Sequence, residues 1–425
     1  MIDFYELKDL CIDIIDCPHS TPKWLNEGIP VIRNYNISGG QLDLSKLSYV
    51  DEETYQNRIK RARPVEDDII ISREAPMGEV CLVPKNFKCC LGQRLVLLKV
   101  DKEKCNPHYL LYALLSPYVQ AQIKRIDQTG SIVSNLNIPD LKKLSIPVIR
   151  KNQDDVAECL KILNEKKSIN NKISVELEAM AKTIYDYWFL QFEFPNEEGK
   201  PYKSSGGKMV WNEELKREIP EGWKVVSLGS LFTAKRGISY NSKTIEGIGV
   251  PMINLASFGV DGRYKESGIK TYSGQYAADK IVKPYDLLMC NTQQTAIDYN
   301  KDIIGKAMLV RDIYEGDIVT SHHVTTIKVK KDNLKYYLHR LFNTDYFHKY
   351  VAGFTNGTNI LGLIFSGIEK YRLEIPVDTI LNNFAELMAN IEMKKSKIIK
   401  ENQELTSLRD FLLPLLMNGQ VGFKN

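Results

Sequence analysis

The sequence predicts an α+β protein made by tandem duplication, with two α/β globular domains that are each followed by one long coiled-coil helix. The hexapeptide KLSIPV ends at Val148, and a near copy, RLEIPV, ends at Val377. Each copy closes a segment of mixed composition and precedes a charged stretch with regularly spaced leucine and isoleucine. At 425 residues, the chain is also long enough to bury two separate cores.

The two halves align block by block. GIPVI at 28–32 corresponds to GVPMI at 249–253, and later DIIIS corresponds to DLLMC and LLKV to TIKV. These short aliphatic runs, bounded by glycine, proline and polar residues, are typical of strands. NPHYLLYALL and NLKYYLHRLF follow in equivalent places, and their apolar residues at three and four spacing predict helices. The sequence therefore indicates a duplicated module.

The two charged stretches predict long helices with a heptad register. A sustained repeat of apolar residues at positions a and d is typical of a coiled coil. The alternative is an amphipathic helix that packs only on its own domain. We expect the helix seam to contain, at a, Leu163, Asn170, Leu177, Ile184, Ile391, Ile398, Leu405 and Leu412, and at d, Ile173, Met180, Tyr187 and Leu408.

These patterns predict the domain boundaries. The connector between the first helix and the second domain is rich in glycine, proline, lysine and serine, with some order expected around Trp211. The expected segments are a first domain at 1–149, a first helix at 150–190, the connector at 191–222, a second domain at 223–376, a second helix at 377–418 and a tail at 419–425.

Composition limits the class of protein. No stretch approaches the roughly 18 apolar residues of a membrane span, and the N-terminus lacks the pattern of a signal peptide, so we expect a cytoplasmic protein without a membrane partner. The eight cysteines are then expected to be reduced thiols. Zinc is the alternative, because Cys81, Cys89, Cys90 and Cys105 are close in sequence, although no Cys-x-x-Cys pair exists.

Catalytic motifs for phosphate, dinucleotide, acyl-transfer or metalloprotease chemistry are absent from the sequence. NPHY at 106–109 resembles the Asn-Pro-Pro-Tyr motif of amino-methyltransferases, but the other half reads NLKY, which favours a helix start capped by Asn106. SHHV at 321–324 contains adjacent histidines, whereas its counterpart GQRL at 92–95 has none. Adjacent strand residues face opposite sides, so metal ligation or catalysis is the less favoured interpretation.

The ordered set of blocks resembles the specificity subunit of type I restriction-modification systems over essentially the whole chain. The resemblance rests on the two IPV ends, the helix endings AKTIYDYWFLQFEFPN and LRDFLLPLLMNGQV, and the connector GKPYKSSGGKMVWNEELKREIPEGW. It implies that the globular domains are target recognition domains, each reading one half of a bipartite DNA site. It also implies that the helices form an antiparallel coiled coil with a pseudo-two-fold axis, set the spacer, and dock methyltransferase subunits.

The same resemblance implies the partners and cofactors. The expected partners are double-stranded DNA, two methyltransferase (M) subunits, and restriction (R) subunits that act as translocase and nuclease, in a bacterial or archaeal cytoplasm. This chain is expected to be non-catalytic and to bind no cofactor or metal. S-adenosylmethionine, ATP and Mg are expected on the partner subunits.

Residue chemistry suggests which side chains face DNA. The cations expected to contact phosphate are Arg58, Lys60, Arg61, Arg63, Lys235 and Arg236. The side chains expected to read base edges are Arg73, Gln128 and Ser131 in the first domain, and Asn291, Gln293, Gln294, Asn356 and Asn359 in the second. The alternative for each is an ordinary solvated surface or loop residue, and the resemblance supplies no residue code.

Divergence between the halves supports this assignment. The interval from Asp68 to Gly78 is ten positions, whereas the interval from Asp286 to Gly305 is nineteen, so the second half has extra residues around CNTQQTAIDYNK. Loops that differ on a shared scaffold are where two different half-sites would be read. Two other classes remain open: a coiled-coil scaffold whose domains bind protein, and the recognition part of a fused methyltransferase-nuclease.

Overall fold

A computed structural model describes residues 2–129, 135–245, 247–294, 302–357 and 360–422. The chain divides into two compact units. Unit 1 combines Met1–Ile169 with Asn402–Asn425, and unit 2 comprises Asn170–Glu401. Unit 1 is therefore built from two segments that are far apart in sequence.

The described residues of unit 1 form a four-stranded sheet, a three-stranded sheet, two pairs of strands and a group of short helices. Its elements before the first long helix are β1 (Ile2–Glu6), β2 (Cys11–Asp16), β3 (Ile29–Ile32), β4 (Ile37–Ser38), β5 (Gln41–Leu42), β6 (Ser48–Val50), α1 (Glu52–Arg58), β7 (Ile69–Ser72), β8 (Val80–Leu82), β9 (Cys90–Leu91), β10 (Leu95–Val100), α2 (Pro107–Leu115), α3 (Pro117–Thr129), α4 (Ile138–Lys142) and β11 (Ser145–Ile149). The larger sheet is antiparallel with order β2-β10-β7-β8, and the smaller has order β6-β3-β9 with β3 and β9 parallel. The two-stranded pairs are β1-β11 and β4-β5.

The first long helix, α5 (Gln153–Tyr185), begins in unit 1 and ends in unit 2. The elements that follow are β12 (Met209–Asn212), β13 (Arg217–Pro220), β14 (Lys224–Ser227), β15 (Phe232–Arg236), β16 (Val250–Ile253), β17 (Lys270–Tyr272), β18 (Ile281–Val282), β19 (Leu287–Cys290), β20 (Thr292–Gln294), β21 (Ala307–Leu309), β22 (Ile318–Thr320), β23 (Val324–Val329), α6 (Leu334–Phe342), α7 (Asp345–Ala352), β24 (Thr355–Asn356), β25 (Ile360–Leu363), α8 (Phe365–Ile368), β26 (Arg372–Ile375) and α9 (Asp378–Met417).

The sheets of unit 2 repeat the topology of unit 1. The antiparallel sheet β15-β23-β19-β21 corresponds to β2-β10-β7-β8, and β16 pairs in parallel with β22 as β3 does with β9. The extra residues of the second half contribute β20, which pairs with β25 in a three-stranded sheet. Within the described residues, the predicted duplication is therefore present as repeated topology with a local addition in unit 2.

The repeated IPV segment closes each globular domain. Ile146 and Val148 lie in β11, which pairs antiparallel with the first strand of the domain, β1. Ile375 ends β26, which pairs in the same way with β14. Each long helix begins shortly after this closing strand, so the duplicated sequence marks the junction between domain and helix.

The connector is an ordered part of unit 2. Its strands β12 and β13 form an antiparallel hairpin, with Trp211 paired opposite Glu218. Phe194 stacks on Tyr202 and on Trp223, at ring-centroid distances of 4.5 and 5.3 Å. This aromatic contact explains why a segment rich in glycine and proline nevertheless has a fixed structure, because it buries its own rings.

The long helices α5 and α9 contact each other in both units, and the contacts in unit 2 show their relative direction. In unit 1, Lys167 Nζ donates a hydrogen bond of 2.8 Å to Thr406 Oγ1. In unit 2, Asn170 Nδ2 donates to Glu401 at 2.8 Å, and farther along α5 the ring of Tyr185 lies 6.2 Å from that of Phe384. The α9 partner therefore moves towards the start of α9 as α5 proceeds, so the paired segments are antiparallel.

The helix register differs from the predicted one in a single row. Of the predicted seam residues, Asn170, Ile391 and Ile398 are buried, and a second set is half-buried: Leu163, Ile173, Leu177, Ile184, Leu405 and Leu412. Leu408 is 45% exposed and Met180 is 53% exposed, and Tyr187 is also exposed, so their placement in the seam was wrong. The buried row lies one residue later, at Leu160 and Ala181 in α5, at Trp188 just after α5, and at Met388, Lys395 and Leu416 in α9.

The shifted row is buried because the helices also pack on the cores of their units, to which Leu160 and Met388 belong. Lys395 in the same row is buried because Glu178 and Glu392 both pair with it, so its charge is compensated within the fold.

Glu178 and Glu392 belong to one buried network in unit 2. Glu392 Oε1 lies 2.8 Å from Arg340 Nη2 and 3.1 Å from Lys395 Nζ, and the other oxygen pairs with Arg311. Glu178 pairs with Arg340 and Lys395. The network thus links α5, α6 and α9 to the segment after β21. Burial raises the pKa of Glu178, but Arg340 and Lys395 outweigh it and lower this pKa to about 2.

We predict that acid destabilises unit 2 through this network. A carboxylate with a depressed pKa contributes stability that is present above its unfolded pKa and is lost as the pH falls through its folded pKa. For Glu178, the contribution should be complete above the ordinary value of 4.5 and should disappear as the pH approaches about 2. Urea unfolding of unit 2 at a series of pH values, followed by hydrogen exchange, measures this dependence.

Glu178→Gln should lower the stability of unit 2 at neutral pH by roughly 3 kcal/mol and flatten its acid dependence. Glu176→Gln, at an exposed position on the same helix, is the matched control and should change neither quantity. An unchanged acid dependence in Glu178→Gln would contradict the assignment.

Candidate nucleic-acid interface

Arg58 is a structural residue of unit 1. It ends α1 and is buried, with Nε donating to the Leu91 carbonyl at 2.9 Å, Nη1 to that of Ser20 at 3.0 Å and Nη2 to that of Pro18 at 3.3 Å. Its predicted contact with phosphate was therefore wrong, because the guanidinium is used to satisfy buried carbonyl groups. The cations that follow, Lys60, Arg61 and Arg63, are exposed.

Arg73 is also held inside unit 1. Its side chain is 11% exposed, Nε donates to the Leu136 carbonyl at 2.9 Å, and Nη1 contacts both carboxylate oxygens of Asp16 at 2.9 Å. The prediction that this guanidinium reads base edges was wrong, because its donors fix the loop after β7. Gln128 lies in the last turn of α3, and Ser131 lies outside the described residues.

Two of the amides predicted to read bases in unit 2 are buried. Asn291 Nδ2 donates to Thr325 Oγ1 at 2.7 Å and to the His322 carbonyl at 3.2 Å, and Gln293 Oε1 accepts from the backbone N–H of Ile303. Both predictions were wrong, because these amides satisfy backbone and side-chain groups inside the domain.

The remaining predicted residues of unit 2 are dispersed. Gln294 ends β20, and Asn356 is exposed in β24. Lys235 pairs with Asp279, whereas its neighbour Arg236 is exposed. Asn359 lies outside the described residues.

The fold brings two turns to equivalent positions, one in each unit. The turn at 92–94 joins β9 to β10, and the turn at 321–323 joins β22 to β23. The Gly92 N–H donates to the Ile32 carbonyl at 2.7 Å, and the Ser321 N–H donates to the Ile253 carbonyl at 2.9 Å. Since β3 and β16 are themselves equivalent, the two turns occupy the same place in the repeated topology.

Polar and aromatic side chains surround the turn of unit 1. An open depression of about 290 Å³ is lined by His19, Arg73, Glu74, Gln93, Arg94 and Asn135. Beside the turn, the Arg33 guanidinium carbon lies 4.7 Å from the ring centre of Trp24 and 4.8 Å from that of Tyr35. Both rings are partly exposed, so the stacked cation lies at the surface of the unit.

A comparable cluster surrounds the turn of unit 2. The Lys270 ammonium lies 4.9 Å from the ring centre of Tyr240, which in turn lies 5.7 Å from the ring of His322. His323 Nδ1 is 2.6 Å from Thr292 Oγ1. Burial lowers the pKa of His323, and neighbouring positive groups lower it further, so its imidazole is neutral near pH 7.

Sequence reasoning missed these clusters. The alignment of GQRL with SHHV contained the signal, but the histidines were considered as metal ligands, and a counterpart without histidine then argued against a site. The two units are similar in the position of this turn, whereas the side chains on it differ. Arg33 follows β3 and Lys270 begins β17, so strand pairing brings both cations to the turns, and the local pattern does not specify that pairing.

Several other hypotheses can be compared with the structure. Asn106 caps α2, its Oδ1 accepting from the backbone N–H groups of His108 and Tyr109, so the predicted helix start is confirmed. All the cysteines are free thiols.

Two features are absent from the described ranges. These ranges contain no group of three or more histidine, cysteine, aspartate or glutamate side chains placed to hold a metal ion. They also contain no helix with the length and hydropathy of a membrane span.

Comparison with known proteins identifies the family. Residues 2–179 and 220–406 match the model of the type I restriction modification DNA specificity domain. The chain belongs to this family. It is a specificity subunit of the type I restriction-modification class, whose role is recognition of the DNA target.

Individual relatives agree with this assignment. The chain is 24% identical over 358 residues to the type I restriction enzyme MjaIX specificity subunit of Methanocaldococcus jannaschii, covering 83% of this chain and 77% of that protein. It is 31% identical over 245 residues to the putative MjaX specificity subunit of the same organism, covering 55% of this chain and 54% of that protein. The crystal structure of the S subunit from M. genitalium has a similar fold, with a TM-score of 0.56 at 16% identity, covering 97% of this chain and 95% of that one.

We predict that Arg58→Ala destabilises unit 1 by about 2 kcal/mol or more, because several buried carbonyl groups lose their donor. Hydrogen exchange of the β9 and α1 amides during urea titration would measure this loss. Lys60→Ala, two residues away at an exposed position, should leave unfolding unchanged. Normal stability of Arg58→Ala combined with weaker DNA binding would restore the original assignment of this residue.

Proposed function

We propose that each globular domain of this specificity subunit reads one half of a bipartite site on double-stranded DNA. The observation that carries the proposal is the duplication itself. The same sheet topology occurs in both units, while the side chains at its equivalent turns differ. A shared scaffold with different side chains suits two different half-sites, and paired readers related by a two-fold axis match the symmetry of the duplex backbone.

The helices are proposed to act as the spacer between the half-sites. The antiparallel contacts between the two helices in unit 2 support this role, and we propose that the pair continues as an antiparallel coiled coil with a pseudo-two-fold axis at its centre. The buried charge network anchors one end of this pair to the domain of unit 2. A helix of fixed rise per residue then converts chain length into distance between the reading surfaces.

Chemistry on the DNA is assigned to partner subunits. We propose that this chain catalyses neither methyl transfer nor cleavage, and that its helices dock two M subunits to which R subunits are added. S-adenosylmethionine, ATP and Mg would then be bound by those partners. A coiled-coil scaffold that binds only protein is the competing function, and it predicts no sequence preference on duplex DNA.

We predict that exchange of residues 1–149 for the corresponding domain of a relative changes one half of the recognised site and leaves the other half unchanged, because the two units have separate cores. Mapping of methylated sites, with the chain assembled with its methyltransferase subunits, gives the result directly. The isolated chain with S-adenosylmethionine is the control and should methylate nothing. A change in both half-sites would contradict independent reading.

We predict that a heptad inserted into each helix lengthens the recognised spacer. The insertions belong after Asn170 and before Glu401, because these residues are hydrogen-bonded partners. Seven residues add about 10 Å, which corresponds to roughly three base pairs.

The accompanying rotation around the duplex is expected to reduce activity, and any remaining methylation should occur at both original half-sites with a longer spacer. The matched control is insertion in α5 alone, which mismatches the helix pair and should lower stability. Full activity at the original spacer with both insertions present would show that the helices do not set this distance.

A further inference from the structure

The turns at 92–94 and 321–323 are rigidly supported positions at the ends of central strands. β10 and β23 each lie inside a four-stranded sheet, with hydrogen-bonded neighbours on both sides. The Arg73 N–H donates to the Arg94 carbonyl at 2.8 Å, and the Asn291 N–H donates to the His323 carbonyl at 3.0 Å. Side chains on such turns are held in place by the sheet, as recognition of base edges requires.

The polar groups at the two turns retain hydrogen-bonding capacity. The Arg94 side chain is 53% exposed, and its Nε lies 3.0 Å from Glu74 Oε2 at the edge of the depression. A guanidinium has five donors, so one carboxylate contact leaves several for a further partner. In unit 2, the His322 side chain is partly exposed; its Nδ1 is buried without a hydrogen-bond partner among the described residues, so Nε2 is the ring nitrogen that can meet a ligand.

We infer that Arg94 in unit 1 and His322 in unit 2 contact base edges and determine the sequence of their respective half-sites. The inference rests on the proposed function and adds the residues that perform it. An arginine at this position suits guanine, whose O6 and N7 accept a bidentate pair of hydrogen bonds in the major groove. His322, which aligns with Gln93 on the equivalent turn, presents a different hydrogen-bonding group, so the two domains select different base pairs.

The cations stacked on aromatic rings beside each turn contact the phosphate backbone of the DNA. Arg33 lies between Trp24 and Tyr35, and Lys270 lies over Tyr240. The ring faces hold each cation next to the reading turn with little loss of conformational entropy on binding. These positions suit phosphate contacts, which fix the domain on the duplex without selecting sequence. Substitution of Arg33 or Lys270 should therefore change the affinity for DNA. Substitution of Arg94 or His322 should change the base preference of the half-site.

A competing occupant of these clusters is an acidic protein surface, which the same cations would bind. Duplex DNA is favoured because a cation, an aromatic ring and a polar side chain that can form hydrogen bonds occur together at equivalent turns in both units, although the residues themselves are not repeated. A protein-binding patch would have no reason to occur at the same topological position with different hydrogen-bonding chemistry. Two half-sites of different sequence require readers at the same position in each unit that differ in hydrogen-bonding chemistry.

The test uses the chain assembled with its methyltransferase subunits and a library of duplexes with every single base change in the recognised site. Arg94→Ala should reduce discrimination at one base pair of one half-site by roughly tenfold, and His322→Ala should do so at one base pair of the other half-site. Each variant should leave the opposite half-site fully discriminated. Arg33→Ala should lower methylation of all sequences about equally.

Matched controls come from the opposite ends of the same strands. Lys102 follows β10 and pairs with Asp67, and Lys331 follows β23 and pairs with Asp378, both exposed like Arg94. Lys102→Ala and Lys331→Ala should leave the specificity profile unchanged. The conservative variants Arg94→Lys and His322→Gln provide the same test if an alanine variant does not assemble, because each keeps a polar side chain but changes its hydrogen-bonding geometry.

The outcomes distinguish failure of the proposed function from failure of the assignment of Arg94 and His322. If the unaltered complex shows no sequence preference, the proposed function fails. If it selects a bipartite site but all four variants at 94 and 322 keep full discrimination at every base pair, the assignment of these residues is overturned while the proposed function stands. A uniform loss of affinity in the 94 and 322 variants, without loss of discrimination, would assign them to phosphate contact and would also overturn the inference.

Discussion

The buried carboxylate of Glu392 is the constraint on which the arrangement of unit 2 depends. A charge removed from water is costly unless opposite charges surround it, and here Arg311, Arg340 and Lys395 do so. These cations come from three separate parts of the chain, so the carboxylate is satisfied only when α6, α9 and the segment after β21 are correctly placed. A hydrophobic contact in the same position would tolerate sliding, whereas directional ion pairs do not. The network therefore fixes the angle at which the helices meet the domain.

Much of the architecture could be predicted from sequence because its signals are local. The strand blocks, the capped start of α2 and the junction between each domain and its helix all depend on neighbouring residues. The buried charge network could not be predicted in the same way. Burial of Lys395 depends on Glu178, which is distant in sequence, and hydrophobic periodicity carries no information about such a pair.

At the candidate site, too, the sequence shows which side chains have suitable chemistry but not which distant groups they contact. Arginine and asparagine in predicted loops have the chemistry to read DNA, yet Arg58, Arg73 and Asn291 use that chemistry to satisfy groups within their own domain. Residue type alone does not separate these uses, because hydrogen bonds to backbone carbonyl groups across the fold require the tertiary structure. Arg94 and His322 differ from them in lying on turns at the surface of equivalent sheets. The linear pattern aligns the two turns, but it does not show which polar side chains nearby are used inside the domain.

The composition of unit 1 from two distant segments has a consequence for synthesis on the ribosome. Its core includes Leu413, Leu416 and Met417 of α9, which are translated after the whole of unit 2. Unit 2 is a continuous segment and can complete its core as soon as it emerges. The nascent first domain, in contrast, must wait with part of its apolar surface uncovered until the last helix is made. During that interval it is a substrate for chaperones, and premature termination near the C-terminus would damage the domain encoded at the start of the gene.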